Sequence, residues 1–325
     1  MKIRGIILNI LLLLPITIFA QGGEYTFNFL RLPYSSHAAA LGGNNISLID
    51  DDISLAMHNP ALLVNASDKT IDLSFMTYMS DCKVGGAAFN KTFGNRSSAA
   101  INARYVDYGK FEGYTPDNIH TGTFTAKDIE IAGTYSYMLS DRWSGGVTGK
   151  FIYSKYETMH AIALGVDLGL NYYHEGYNLS LSLVGKNLGG QVKAFEDKLE
   201  SIPMDFQFGI TKGFNHAPIR LSAMLNNLHK WKKSDFYNAD GSEDNFGTLL
   251  LKHLIVGANI LIGKNFYIAL GYNYRTSKEL STGKRSLNGF SLGAGLNVRK
   301  VRFNASYSQL HSSSSSLLFN IAYSI

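Results

Sequence analysis

Residues 160–174, HAIALGVDLGLNYYH, decide the fold of this chain. One side of the stretch is apolar and carries Ile162, Leu164, Val166, Leu168, Leu170 and Tyr172. The other side is small or polar and carries Ala163, Gly165, Asp167, Gly169 and Asn171. An alternation with period two predicts a β-strand with one apolar face. The run is longer than the usual strand of a soluble protein and matches the length that crosses a membrane.

The same alternation recurs along the chain, for example in MDFQFGIT at 204–211 and GFSLGAGLNVR at 289–299. It predicts strands at 69–79, 81–93, 97–108, 125–140, 142–155, 160–174, 177–189, 202–214, 217–230, 248–263, 265–277, 286–299, 301–310 and 314–325. An even number, about 14, suits an antiparallel outer-membrane barrel. We therefore predict an all-β fold, a transmembrane antiparallel β-barrel over residues 69–325.

The connections support a membrane barrel over a soluble β protein. Short links are predicted near 94–96, 141, 175–176, 215–216, 264 and 300. Longer links are predicted at 109–124, 190–201, 231–247, 278–285 and 311–313. Short turns on one side and long loops on the other are typical of outer-membrane barrels. A sheet in lipid must also close, because an open edge would leave unpaired N–H and C=O groups.

Composition excludes several other classes of protein. Hydrophobic residues make up 45% and charged residues only 17%, with a formal net charge of +5. The basic residues are scattered and form no stripe of the kind that follows a nucleic-acid backbone, so we expect no nucleic-acid partner. The single cysteine, Cys82, excludes an intramolecular disulfide framework and a CxxC metal site.

The first 20 residues resemble a secretory signal peptide. Lys2 and Arg4 precede an apolar run from Ile6 to Ala20, and cleavage is predicted after Ala20. The run is short for a membrane-spanning helix. We therefore expect an exported chain that resides in the outer membrane of a Gram-negative bacterium.

No GxxxxGK[ST] or HExxH motif is present, and we expect no enzyme and no cofactor. The densest group of reactive side chains is SLIDDDISLAMHNPALL at 47–63. Consecutive carboxylates of an extended chain point to opposite sides, and the spacing of a calcium loop is absent. We expect no metal site there and interpret Asp51 and Asp52 as structural hydrogen-bonding groups.

The predicted inner face of the barrel carries charges of both signs. We expect Arg104, Glu130, Lys150, Asp167, Asn171, Asn273 and Arg275 to point inward. Mixed signs predict internal charge pairs that fill the lumen rather than an open, selective pore. Many inward positions are glycine, which leaves room for either a plug or a ligand.

Residues 21–68 precede the regular strands and are predicted to fold into or against the periplasmic mouth or lumen as a plug. A short extra strand at 45–48 is one alternative. The stretch ALGGNNISLIDDDISLAMHNPALL at 40–63 resembles the N-terminal motif of FadL-like outer-membrane barrels. The residues that carry this resemblance are Gly42, Gly43, Asp51, Asp52, Asn59, Pro60, Ala61 and Leu63. Leu62 stands where many FadL-like proteins have glycine, so transport residues cannot be carried over.

A narrower resemblance runs over most of the chain. Residues 22–47, 105–131 and 215–231 are similar to the PorQ-like family of the type IX secretion system of Bacteroidota. This resemblance implies a non-catalytic barrel that anchors a PorZ-like surface protein and, through it, PorU-like and PorV-like components. That complex processes secreted cargo and attaches it to lipopolysaccharide, so outer-membrane lipid and lipopolysaccharide are further expected partners.

The predicted outer loop WKKSDFYNADGSEDNF at 231–246 is the preferred partner contact. Its aromatic residues Trp231, Phe236, Tyr237 and Phe246 lie among charges, a mixture enriched in interfaces. The alternative is a loop that packs on its own barrel rim. Two other functions stay open: a FadL-like channel for a hydrophobic small molecule, and a surface enzyme that uses scattered His and Ser residues.

Overall fold

The computed structural model describes residues 26–79, 82–115, 117–232, 235–236, 245–263, 265–279, 288–311 and 314–325. The predicted signal peptide, residues 1–20, lies outside the described residues, as does Tyr237. Among the described residues, none of the helices has the length and apolar character needed to cross a membrane.

The described chain is dominated by 14 strands. They are β1 Thr70–Tyr78, β2 Cys82–Phe93, β3 Ser97–Tyr114, β4 His120–Met138, β5 Trp143–Tyr156, β6 Met159–His174, β7 Leu179–Lys193, β8 Asp205–Phe214, β9 Ala217–Leu225, β10 Leu254–Ile262, β11 Phe266–Asn273, β12 Phe290–Val298, β13 Val301–His311 and β14 Ser314–Ser324. Each pairs antiparallel with its neighbours, and β1 pairs with β14. The predicted fold class, a closed antiparallel barrel, is confirmed.

The outer face of the barrel is apolar, as the alternation of 160–174 predicts. On β6, Leu164 and Leu168 are about half exposed, at 51% and 49%, whereas the residues just before them, Ala163 and Asp167, are buried. Tyr and Phe residues on other strands expose their side chains in the same way. An apolar outer surface on a closed barrel is the surface that lipid covers, so the barrel spans a membrane.

Short turns cluster at one end, which we call the inner end. They join β2 to β3, β4 to β5, β6 to β7, β8 to β9, β10 to β11 and β12 to β13. The start of β1 and the C-terminus lie there too, since the amide of Ile325 donates to the carbonyl of Lys69 at 3.2 Å. The longest connections, 194–204, 226–253 and 274–289, lie at the opposite end, which we call the outer end, together with the short links β1–β2, β5–β6 and β13–β14. This segregation agrees with the predicted loop pattern and orients the inner end toward the periplasm.

Some predicted boundaries at the outer end are wrong. Residues 109–114 and 120–124, predicted as a loop, continue β3 and β4 as a long hairpin in which Phe111 stacks on Phe124 at 5.4 Å. Cross-strand aromatic pairs stabilise such a ribbon. Residues 248–253 and 274–277, predicted as strand, belong to helices.

Contacts between residues close in sequence stabilise the two helices at the outer rim. The helix Phe246–His253 begins where the side chain of Asn245 accepts the amide of Thr248 at 2.8 Å, which caps its first turn. The helix Tyr274–Glu279 carries an Arg275–Glu279 ion pair at 2.8 Å with i,i+4 spacing. Arg275 was predicted on the inner face of a strand, and this helix corrects that placement.

Residues 26–68 lie inside the barrel, and we call them the plug. The plug contains the helix Ser36–Ala40, which we call α1, and short 3-10 helices at Asn28–Arg31, Ile53–Met57 and Pro60–Asn65. No strand forms at 45–48. The side chain of Asn45 instead accepts the amides of Ser47 and Leu48, at 3.0 and 2.9 Å, and folds the segment into a turn.

Inward glycines make room for the plug. A Cβ at Gly146 would overlap the backbone of Pro60, and one at Gly169 would overlap the side chain of Asn59. The same holds for Gly271 against the plug backbone at Leu41–Gly42. The sequence leaves open whether the inward glycines make room for a plug or for a ligand. At Gly146, Gly169 and Gly271 the structure shows that they make room for the plug.

Candidate functional site: the plugged lumen

The three consecutive aspartates fix the plug at the inner end. Asp50 lies 3.4 Å from the guanidinium of Arg220 on β9. Asp51 accepts the amide of Ser67 at 2.6 Å and lies 3.5 Å from Arg302 on β13. Asp50 and Asp51 therefore each lie beside a different cation of the barrel wall.

Asp52 points to a third place on the wall. It accepts the amide of Ser54, at 2.9 Å, and the side-chain amide of Asn304 on β13, at 3.1 Å. The aspartates diverge, and no metal-binding group of His, Cys, Asp or Glu is found among the described residues. Asp51 and Asp52 each accept a hydrogen bond from a backbone amide of the segment before β1.

His58 is a buried hydrogen-bonding centre within the plug. Its Nε2 accepts the amides of Tyr34 and Ser35, both at 3.3 Å, so its Nδ1 carries the hydrogen and donates to Asn44 Oδ1 at 2.7 Å. Burial, reinforced by the nearby cation of Lys186, holds the pKa of His58 well below its usual range. The neutral ring thus joins separate segments of the plug.

Asn59 and Pro60 begin the last 3-10 helix of the plug. The Asn59 side chain accepts the amide of Ala61 at 2.9 Å and donates to the carbonyl of Ile46 at 2.7 Å. Proline is well suited to the first helical position, because its missing N–H has no partner there. The bond from Asn59 to Ile46 joins two segments of the plug, and the 3-10 helix that starts at Pro60 leads toward β1.

Gly42 and Gly43 adopt backbone angles that favour glycine, with φ of 103° and 95°. The Gly42 amide donates to Ser291 Oγ on β12 at 2.9 Å, and the Gly43 amide donates to the carbonyl of Ala39 at 2.9 Å. The Gly-Gly pair of the sequence motif therefore forms a turn directly after α1, and this turn contacts β12 of the barrel wall.

The wall beside the plug carries the predicted internal charge pairs. Arg104 pairs with Glu130, and Lys150 lies 2.7 Å from Asp167. The Lys150 ammonium also donates to Asn187 Oδ1 at 2.9 Å, while the Asn187 amide donates to Asp167 Oδ1 at 2.7 Å. Asn187 lies where the β6–β7 register shifts, so the carboxylate replaces a strand carbonyl as acceptor.

The outer half of the lumen contains an apolar cluster, which the prediction of a lumen filled by charge pairs does not include. The start of the plug contributes Phe27, Phe29 and Leu30, all buried. They pack with inward side chains from β1, β2, β3, β5, β6, β14 and the β7–β8 connection: Met76, Cys82, Val84, Val106, Ile152, Ala161, Ala163, Ile202 and Leu318. We call this set, with the three plug residues, the outer apolar cluster.

A polar cavity lies next to this cluster. Its volume is about 410 Å³, within the range of small-molecule sites. Its floor is the plug at 42–44 and His58, and the exposed Asn28 and Arg31 mark its outer border. Besides Asn44 of the floor, five further lining residues carry side-chain amides: Asn187, Gln207, Asn226, Asn227 and Asn273. We call this space the amide cavity.

The predicted contact residues lie in different environments at the outer rim. The Trp231 ring packs on His253 at 4.4 Å, and Phe236, 7% exposed, meets the same imidazole at 5.2 Å. Phe246 is 74% exposed. Trp231 and Phe236 thus pack on their own rim, the alternative that the sequence leaves open, and Phe246 remains available for contact.

Comparisons with known proteins support the fold. No family model matches the chain, and no curated protein matches it. The toluene transporter TodX of Pseudomonas putida is 12% identical, with 90% of this chain and 97% of TodX covered and a TM-score of 0.57. A FadL homologue of Pseudomonas aeruginosa is 11% identical, with 90% and 97% covered and a TM-score of 0.51.

A third structure, the monoaromatic hydrocarbon channel CymD, is 12% identical, with 91% of this chain and 98% of CymD covered and a TM-score of 0.57. Identities this low show the fold alone. The chain is thus a plugged 14-stranded membrane barrel, similar in fold to the FadL-like barrels, as its N-terminal motif predicts.

Proposed function

We propose that the chain is a non-catalytic outer-membrane channel for a hydrophobic small molecule. The observation that carries this proposal is the outer apolar cluster. A barrel lumen is ordinarily polar, yet here Val106 and Ile152 face inward and are fully buried. An apolar inner wall favours an apolar occupant, since burying apolar surface lowers free energy by about 25 cal/mol per Å².

The chain's own Phe27, Phe29 and Leu30 fill this space in the structure. The Phe29 ring lies 5.3 Å from the Arg104 guanidinium and the Phe27 ring 6.4 Å from Phe195. A hydrophobic molecule that enters from the outer end would take the place of these side chains. The folds of TodX and CymD, which carry hydrocarbons, support the same proposal.

Uptake of radiolabelled toluene tests it. Cells that express the chain are expected to accumulate toluene faster than cells with an empty vector. The double variant Val106→Thr/Ile152→Thr puts hydroxyls into the apolar wall and is expected to lose most of this gain. The matched control, Val147→Thr/Val256→Thr, changes outward side chains, 41% and 39% exposed, and should retain it. Equal uptake with and without the protein would contradict the channel.

A second candidate function is the anchoring role in type IX secretion, with PorZ-like, PorU-like and PorV-like partners. The observation that favours it is the exposure of Phe246 on a helix at the outer rim. A Phe246→Ser variant is then expected to recover less PorZ-like partner in a pull-down. Thr248→Ala, on the same helix, is the control. Undiminished recovery after deletion of residues 231–246 would eliminate this contact.

A further inference from the structure

We propose that a row of lysines on the outside of the barrel binds the phosphate headgroup of a lipid in the outer leaflet of the membrane. The row crosses the outer ends of β2 to β7 and comprises Lys83, Asp107, Lys127, Lys155, His160 and Lys193. We call it the lysine ladder. It lies on the face of the wall opposite to the lumen, so it is separate from the channel proposed above.

The strand register makes the lysine ladder continuous. Lys83 is paired with Asp107, and Asp107 with Lys127 on the next strand. Lys127 is in turn paired with Lys155, and Lys155 with His160. Residues that are paired across antiparallel strands share one face of the sheet and lie close together. These five side chains therefore follow one another around the outer end of the barrel.

The lysine ladder faces away from the lumen. Lys155 is exposed, whereas its neighbour Ser154 is buried and accordingly faces inward. Lys83 and Lys193 are exposed as well. The Lys193 ammonium donates to His160 Nε2, which extends the row to β7. The ladder thus lies on the surface that lipid covers.

The position along the strands matches the level of lipid headgroups. On β5, the outward residues Trp143 and Tyr153 are ten residues apart, about the length of strand that crosses a membrane. Aromatic residues are enriched at the two membrane–water interfaces. Lys155 follows Tyr153 by two residues on the same face, just beyond the outer interface. An anion that reaches this place from the membrane side belongs to a lipid headgroup.

The charges of the lysine ladder are not balanced by the chain itself. Lys127 and Lys155 lie directly opposite each other, and like charges in this arrangement destabilise a sheet. Within the part of the chain that the structure describes, none of the four lysines of the ladder forms an ion pair. The single carboxylate, Asp107, accepts the amide of Gly109 at 2.9 Å. A phosphate between the lysines would offset their repulsion and accept charge-assisted hydrogen bonds.

The surplus of positive charge is confined to this level. Farther from the membrane, the exposed Lys110 is accompanied by the exposed carboxylates of Glu112 and Glu157. An anion dissolved in water would meet these carboxylates first, whereas a headgroup that moves within the membrane plane meets the lysines directly. The arrangement therefore favours a lipid over a free phosphate.

The lysine ladder also occupies only one side of the barrel. The outward residues near the outer ends of β9 to β12 are uncharged: Leu225, Leu254, Tyr272 and Phe290. Lysines that merely extend from a membrane surface into water have no reason to cluster on one side. Clustered basic residues at a membrane surface are typical of binding to anionic lipid headgroups.

Native mass spectrometry of the full chain, in the uncharged detergent tetraethylene glycol monooctyl ether, tests the proposal. Two probes share their dioleoyl chains and differ in the headgroup: phosphatidic acid has a net negative phosphate, and phosphatidylethanolamine has no net charge. We expect half occupancy at a concentration of phosphatidic acid about tenfold lower than that of phosphatidylethanolamine. Inorganic phosphate, the third probe, should show no saturable binding.

Variants locate the site. Lys127→Gln/Lys155→Gln removes the two opposed charges without touching the lumen and should weaken the binding of phosphatidic acid about tenfold. Lys127→Arg/Lys155→Arg keeps the charges and should keep the binding. Lys91→Gln/Lys300→Gln removes the same amount of charge from exposed positions at the inner end. This matched control should bind phosphatidic acid as the wild type does.

Four results would overturn the proposal: equal binding of the two lipids, saturable binding of inorganic phosphate in place of lipid, equal weakening in the two glutamine variants, or equal weakening in the arginine and glutamine variants of the ladder. The outcome is independent of the channel, because Lys127→Gln/Lys155→Gln should leave toluene uptake unchanged. Lipid binding that persists when toluene uptake is absent would contradict the channel alone.

Discussion

The inner and outer halves of the lumen are built on different principles. In the inner half, the plug backbone and the Asp50–Asp52 carboxylates are tied by hydrogen bonds and ion pairs to several strands, and glycines let the two backbones touch. In the outer half, the start of the plug packs Phe27, Phe29 and Leu30 against apolar side chains of the wall, beside a hydrogen bond from Arg104 to the carbonyl of Leu32 at 3.0 Å. Directional polar contacts fix one arrangement, whereas apolar contacts can be exchanged for those of another apolar molecule. We infer that the inner part of the plug is a fixed seal of the lumen. The plug side chains in the outer apolar cluster are an exchangeable occupant, which an apolar ligand can displace.

The largest expected effect comes from forcing the plug off the wall. Gly169→Val would place a side chain where Asn59 lies, so we expect the plug to be displaced and the lumen to conduct ions in planar bilayers. Gly149→Val is the matched control, because a Cβ there meets nothing within 4 Å. If both variants stay equally closed, the plug does not depend on this contact.

Removing one buried carboxylate should have a smaller effect. Asp52→Ala leaves the Asn304 side-chain amide and the Ser54 amide without their acceptor, and we expect a loss of about 1–3 kcal/mol of unfolding free energy. Asp51→Ala also removes an acceptor, that of the Ser67 amide, but the Asp51 side chain is half exposed and water can replace it, so we expect a cost of about 0–1 kcal/mol. Urea unfolding in lipid vesicles measures both, and an equal loss would contradict the ranking.

Acid should loosen the seal through His58. Its pKa is lowered in the folded state, so the unfolded chain binds more protons and stability falls as the pH drops below the ordinary histidine pKa. The ring must then give up Nε2 as an acceptor. We expect acid to reduce the stability of the wild type more than that of His58→Gln, which keeps an acceptor but does not titrate. Parallel pH profiles would rule out this role.

The smallest expected effect on barrel stability comes from changing Phe29, one of the plug side chains that fill the outer apolar cluster. Phe29→Ala removes a ring from the outer apolar cluster without touching the strand pairing or the inner contacts. We expect the barrel to keep its cooperative unfolding, while toluene saturates uptake at lower concentration because less of the chain must be displaced. Unchanged toluene dependence would show that Phe29 does not occupy the ligand space.

The barrel could be predicted because its cause is local. The alternation in 160–174 is a pattern of successive residues, and it correctly predicts that Leu164 points outward and Asp167 inward. The N-terminal motif likewise singled out Gly42 and Asn59, which hold turns of the plug.

The two candidate sites could not be predicted, because they depend on distant residues. An inward Val106 on a strand does not reveal that Phe29 will cover it, and His253 and Trp231 become neighbours only when the rim folds. The one usable signal was the abundance of inward glycine, which pointed to something filling the lumen without saying what.

Hydrogen exchange followed by mass spectrometry tests the central comparison most directly. Amides of the inner plug, residues 36–66, donate to wall side chains and to the plug itself. We predict that their exchange is as slow as that of the strands, and that residues 26–32 exchange faster and change further when toluene is added. Equal protection of the two segments, with no response to toluene in 26–32, would contradict the account of a fixed seal below an exchangeable occupant.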